Sequence, residues 1–279
     1  MKTITNEIIK KFELYLYEEE KSDNTIEKYL RDIRFFREWL CDKDVDKSNV
    51  INYKKELCSR YATKSVNSML SSINAFFAFM GWYDLKVKTL KVQRRIFADR
   101  SKELSKTEYE RLLIAAKGKK NERLYYLMQT IASTGLRVSE IKYVTCEAVR
   151  QGQAVINCKG KIRQIFLPKK LCQVLKKYIK YRNIKNGAVF ITKSGRPLDR
   201  CTIWKMLKDL CESAGVSKDK VFPHNFRHLF ARTFYSLQKD IVRLADILGH
   251  SSVETTRIYT MESGTEHIKQ LQKLGLLRC

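Results

Sequence analysis

Apolar residues recur at helical spacing along most of the chain. Ile26, Tyr29, Leu30, Ile33, Phe36 and Leu40 fall three or four positions apart, behind an Asn24/Glu27 pair with the spacing of a capping box. The pattern repeats over Val66–Met80 through Leu70, Ile73, Phe76, Phe77 and Met80, and Gly81 is a natural stop. These phenylalanines read as core rather than as a platform for stacking bases. Residues 1–82 are therefore expected to form a bundle of helices. Residues 83–103 lose the period and are dense in Lys and Arg, which reads as a basic interdomain linker. Residues 104–279 form the second domain. It opens on a Ser105/Glu108 capping box, and a helix over about Glu122–Ser133 stops at Gly135. Short apolar stretches from Gln153 to Pro168 flank a turn at Cys158–Lys161, the signature of a β-hairpin, and a third strand is predicted at Ala188–Ile191. From Asp199 onward the pattern is helical, with breaks at Gly215, Pro223 and Gly249. Ile268, Leu271, Leu274, Leu276 and Leu277 make Glu262–Leu277 a short amphipathic helix.

Composition sharpens this picture. Only 11 Gly and 3 Pro in 279 residues favour a helix-rich fold with little disorder. The net charge of +25 is lopsided: residues 1–95 carry 19 basic against 14 acidic residues, and the remainder carries 36 against 16. Such an excess repels itself, and a polyanionic partner is the usual reason to tolerate it. The second domain is where that partner should sit. The eight cysteines include no C-x-x-C pair and no histidine at ligand spacing, so they read as free thiols of a reducing compartment, with no zinc site. The amphipathic start is not that of a secretory signal, no apolar run is long enough to span a membrane, and a cytoplasmic protein is expected.

Three stretches concentrate unusual residues. In Thr134-Gly135-Leu136-Arg137-Val138-Ser139-Glu140, a glycine ends one helix and Arg137 is held at the start of the next, a position that favours an anion. In His224-Asn225-Phe226-Arg227-His228, His224 and Arg227 share a helix face. The third is Leu248-Gly249-His250-Ser251-Ser252, followed by Thr255-Thr256-Arg257-Ile258-Tyr259-Thr260. Alone, Arg137 reads as a surface arginine, His224 as a packing or capping histidine, and Tyr259 as one of 14 tyrosines. His228 reads as a packing residue, and Glu140 as the structural partner of Arg137.

Together, in this order and at these separations, the three stretches resemble the tyrosine recombinase, or phage integrase, family, and the compact Xer-type members in particular. The resemblance runs over nearly the whole chain. It implies a mainly α fold with a small antiparallel β-sheet in the catalytic domain, and a two-domain, C-shaped architecture whose first domain binds core DNA. It implies that Arg137 and Arg227 hold the scissile phosphate, that His224 and His250 fill the two histidine positions, and that Tyr259 is the nucleophile. The family's catalytic lysine lies in the hairpin turn. Here Lys159-Gly160-Lys161-Ile162-Arg163 is one residue shorter than the usual Lys-Gly-x-Lys-x-Arg, and Lys159 is favoured over Lys161.

The chemistry suits those roles. A free tyrosine, with a pKa of about 10, is a poor nucleophile near neutrality, and nearby cations favour the phenolate. Attack on phosphorus builds charge on the non-bridging oxygens, which fork-shaped guanidinium donors meet. A hairpin lysine can protonate the departing 5′ oxygen. The phosphotyrosine ester conserves the energy of the broken bond, so neither ATP nor a metal cofactor is expected. The implied enzyme is a site-specific recombinase acting on double-stranded DNA through a 3′-phosphotyrosyl intermediate, in integration, excision or resolution. It would work as a homotetramer on two DNA sites, or with a related partner recombinase, near the nucleoid of a prokaryotic cell, with no membrane partner. The resemblance implies that the terminal helix docks on a neighbouring subunit; the alternative is that it folds back on its own domain. Competing readings are a type IB topoisomerase, a non-catalytic DNA-binding accessory protein, and a metal-dependent transposase. The last needs a carboxylate cluster that the basic second half does not offer.

Overall fold

The computed structural model describes residues 2–41, 43–92, 100–158 and 161–260, together with positions 268, 272 and 273. The chain divides into two compact units, residues 1–94 and 95–279.

The first unit is four helices: α1 (Asn6–Glu18), α2 (Asp23–Leu40), α3 (Lys47–Arg60) and α4 (Thr63–Phe79). The expected aromatic stripe is core. Phe12, Phe36, Phe76 and Phe77 are fully buried, and Phe12 meets Phe76 edge to face at 5.2 Å. The start of α2 differs from the sequence expectation. The helix begins at Asp23 with Ser22 as its N-cap, two residues ahead of Asn24, and Ser22 Oγ bonds Thr25 Oγ1 instead of a backbone amide. Ser22 is itself a good cap residue, so the earlier start competes successfully with the later one. The chain after α4 is bolted to that helix by two asparagines. The Asn74 side chain accepts from Val87 N–H and donates to Val87 C=O, and Asn67 does the same to Leu90. Each amide thus replaces a strand partner for an otherwise unpaired stretch of backbone.

The second unit contains α5 (Lys106–Gly118), α6 (Glu122–Thr134), α7 (Cys146–Gln151), α8 (Lys169–Tyr181), α9 (Arg200–Lys208), α10 (Cys211–Ala214), α11 (Pro223–Gln238), α12 (Ile241–Leu248) and α13 (Val253–Thr256). Between α7 and α8 lies an antiparallel ribbon of β1 (Gln153–Cys158) and β2 (Lys161–Phe166), in which Ala154 faces Ile165 and Ile156 faces Arg163. The Ser105/Glu108 capping box forms with both bonds made, at 2.8 and 3.1 Å. No third strand forms at Ala188–Ile191. That segment makes only isolated bridges, Thr145 with Ala188 and Ile191 with Pro197, because Val189 N–H goes to Val144 C=O rather than to the ribbon. Pro223 opens α11 at its first turn instead of breaking a helix, where its missing N–H costs nothing.

The core of this unit gathers α5–α9 around Leu127, Ile131, Leu175, Phe190 and Phe226. A smaller cluster of Ala231, Leu244, Leu248 and Tyr259 joins α11, α12 and the 3-10 turn Arg257–Tyr259. The six described cysteines outside the ribbon turn are free thiols, and among the described residues no helix is long and apolar enough to cross a membrane.

Gly135 links the two clusters. It ends α6 at φ +66°, and a Cβ there would lie 2.5 Å from a Phe230 ring atom and 2.9 Å from Leu248. Gly135→Ala should therefore lower stability by at least about 2 kcal/mol, from left-handed strain plus overpacking. A shifted urea midpoint at unchanged slope would register it.

Candidate active site

The site is assembled where helices stop. Gly135 after α6 and Gly249 after α12 both adopt the left-handed conformation, which turns the last carbonyls of each helix toward one place. Arg227, on the first turns of α11, fills that place. It is 1% exposed, and its guanidinium donates to Gly135 C=O at 2.6 Å and to Leu248 C=O at 2.8 Å. Both acceptors lie at the negative ends of helices, which suit a cation. Burial, and then the charge of Arg137, push the Arg227 pKa down to about 10, against the opposing pull of Tyr259 and Glu140. It stays cationic at neutral pH. Its Nε has no hydrogen-bond partner among the described residues.

Arg137 N-caps a short 3-10 helix, Val138–Tyr143, in place of the α-helix expected there. Its own N–H is taken by Glu140 Oε2 at 2.7 Å. Its guanidinium donates to Glu140 Oε1 at 3.0 Å and to Gly249 C=O at 3.3 Å, and the side chain remains 39% exposed. Glu140 is 3% exposed and holds a second arginine as well. Arg163 of β2 donates to Oε2 at 2.6 Å, and to Ile247 C=O at 2.8 Å. The stem and guanidinium of Arg163 pass so close to Gly249 that a Cβ there would lie 2.6 Å from its Cδ. Sequence reasoning assigned no role to Arg163. Its position two residues past the hairpin turn, in a run of basic residues, was the available signal. Through it, the ribbon is tied to the helix ends that carry the other residues.

The histidines adjoin the arginines. His250 Nε2 lies 2.9 Å from Arg227 Nη2, and its Nδ1 lies 2.8 Å from Thr256 Oγ1. Burial first, and then Arg227, Arg137, Arg163 and His224, hold the His250 pKa down to about 4. His224 is also lowered, by desolvation and by Arg227, Arg137 and Arg200, while it keeps an exposed face. His228, read from sequence as a packing residue, sits between His224 and Tyr259, with ring centroids 4.5 and 4.9 Å away. Burial, His224, Arg232 and Arg227 bring it to about 4. Tyr259 is 6% exposed. It lies in the short 3-10 turn after α13, its ring parallel to His250 at 6.1 Å and edge-on to His228. The fold thus brings Arg137, His224, Arg227, His250 and Tyr259 together. Lys159 lies outside the described residues. Among the described residues, no group of three or more His, Cys, Asp or Glu side chains could hold a metal ion.

This arrangement can bind a doubly charged oxyanion. Arg137 and Arg163 share the Glu140 carboxylate, all three arginines donate to carbonyls at helix ends, and the Tyr259 ring lies against the His228 and His250 imidazoles.

The profile of the "Phage integrase family" matches residues 102–266, and that of the "Phage integrase, N-terminal SAM-like domain" matches residues 9–83. The sequence is 30% identical to tyrosine recombinase XerA of Thermococcus kodakarensis, over 98% of this chain and 96% of the relative. The crystal structure of XerA recombinase superposes with a TM-score of 0.53 at 27% identity, covering 99% of this chain and all of that one. A lambda integrase tetramer bound to a Holliday junction gives a TM-score of 0.73 at 16% identity, over 92% of this chain and 77% of that one, a likeness of fold.

Two outcomes follow from the geometry. Glu140→Ala leaves Arg137 and Arg163 without their shared buried carboxylate and should cost about 3–5 kcal/mol, measured by chemical denaturation. The neutral forms of His228 and His250 are favoured by folding, so protonation favours the unfolded chain. Their contribution is complete above about pH 6.5 and is lost as pH falls toward 4. The urea midpoint should drop over that window, and His228→Gln should flatten the drop.

Proposed function

The chain belongs to the phage integrase family of tyrosine site-specific recombinases, and from that premise we propose that Tyr259 is the residue through which it cuts and rejoins DNA. The Tyr259 oxygen attacks a backbone phosphorus, the 5′ oxygen departs, and a 3′-phosphotyrosyl bond holds the strand. A 5′ hydroxyl from the partner duplex then reverses the step. Because one ester replaces another, ligation draws on no ATP. Arg137 and Arg227 take the non-bridging oxygens, His224 and His250 flank them, and Lys159 protonates the leaving oxygen. The guanidinium pair supplies the positive charge that the developing transition state requires.

The observation that carries this reading is the single cluster in which Tyr259 lies against His250 and His228, while His250 bonds Arg227 and Arg137 shares the same helix end. A topoisomerase reading is less favoured, because the separate N-terminal SAM-like region is matched as well. The working form is proposed to be a tetramer on two DNA sites, of this chain alone or with a related recombinase. The lambda integrase tetramer on a Holliday junction supports it. The Glu262–Leu277 segment, proposed to dock on a neighbour, lies outside the described residues apart from three positions. The place of action is proposed to be the cytoplasm, on nucleoid DNA.

Nicked suicide duplexes tiled from the DNA flanking the protein's own gene provide the test. Wild-type protein should give an SDS-stable adduct. Tyr259→Phe should give none, while binding the same duplex within a few-fold of wild type. An adduct that persists in the variant would show that another residue is the nucleophile. Specific binding by wild type with no adduct would remove the enzymatic reading for the chain acting alone.

A further inference from the structure

Arg227 is a permanent donor, so the His250 Nε2 that lies 2.9 Å from it must be the unprotonated ring nitrogen. His250 is neutral, and its one ring proton therefore sits on Nδ1, where it is donated to Thr256 Oγ1 at 2.8 Å. Thr256 is 0% exposed, at the last position of α13 and three residues before Tyr259. In this state His250 can only accept at Nε2. A phosphate oxygen also only accepts. When a phosphate takes the Arg227 donors, Nε2 loses the group that donated to it and faces an acceptor, which it can satisfy only by carrying the proton itself.

We propose that Thr256 is a positioning residue whose hydroxyl holds His250 in either tautomer, so that the imidazole changes from acceptor of Arg227 to donor toward the scissile phosphate without moving. A hydroxyl is both donor and acceptor and rotates freely. Before DNA binds, it accepts from Nδ1–H. Afterwards it donates to bare Nδ1. One proton leaves Nδ1 and one arrives at Nε2 by exchange with water, and the ring is neutral before and after. A residue that could only accept would lock the first tautomer, and an apolar one would bond neither. Thr256 is fully buried, while the His250 ring is only partly so and stays open to proton exchange. The inference rests on the proposed function for its second half only, since the tautomer in the DNA-free protein is independent of any reaction.

The test combines ¹⁵N NMR of the His250 ring with single-turnover cleavage of a nicked duplex, in wild type, Thr256→Val and Thr256→Ser. Valine keeps the volume and removes the hydroxyl, and serine keeps the hydroxyl. DNA-free wild type should show the proton on Nδ1, and the complex with nicked duplex should show it on Nε2. Thr256→Val should leave the free-protein proton on Nδ1, held there by Arg227, but slow cleavage about 10–100-fold, the range found for residues that orient metal-ligating imidazoles. Duplex binding should be unchanged, and Thr256→Ser should restore the rate. In a His250→Phe background, Thr256→Val should have no further effect on rate. A proton on Nε2 in free wild type, or cleavage by folded Thr256→Val within twofold of wild type, would overturn the proposal. If wild type itself forms no covalent adduct, the functional reading fails while the free-protein spectrum still decides the tautomer.

Discussion

A single guanidinium, that of Arg227, lies at the centre of this structure. A buried cation is expensive to remove from water, and the fold meets that cost with the carbonyls at the ends of two helices, 92 and 21 residues away in sequence. Each of those helices ends in a left-handed glycine, which frees its last carbonyls to point inward. Position and chemistry are thereby coupled. The constraint that stabilises Arg227 also fixes where α6 and α12 end, and those ends carry Arg137 and His250.

Around this centre the charges do not cancel. Glu140 offsets part of the positive field, binding Arg137 on one oxygen and Arg163 on the other. The surplus is felt by the histidines, which burial and the arginines together hold neutral. An arrangement with surplus positive charge and neutral imidazoles is complementary to an anion carrying more than one charge. A phosphate passing through an attack by tyrosine is such a group. The ribbon enters the same network through Arg163, so strand β2, remote in sequence, is bonded to the helix end at Ile247.

Much of this was legible in the residues. Helical period locates the main helices, the Ser105/Glu108 spacing locates a real cap, and the short apolar stretches between Gln153 and Pro168 locate the hairpin strands. The failures have physical causes. Asn24/Glu27 has the spacing of a capping box, but Ser22, two residues earlier, offers an equally good start, and local sequence does not rank the two. Ala188–Ile191 has the composition of a strand, yet its backbone finds partners in the Thr145 and Pro197 regions. Within a run of lysines and arginines nothing local distinguishes Arg163, the one that turns inward.

The helix-rich class, the concentration of positive charge in the second half and the residue types able to act on a phosphate ester are all present in the unfolded chain. Those properties follow from side-chain identity and spacing, which a chain carries before it folds. Packing alone buries Arg227, gives Glu140 two arginines, sets His228 against Tyr259 and brings Thr256 to the His250 ring. The reason is that the decisive partners are backbone carbonyls and a hydroxyl brought together by packing. Every residue has a carbonyl, so no sequence position announces which one a distant arginine will use.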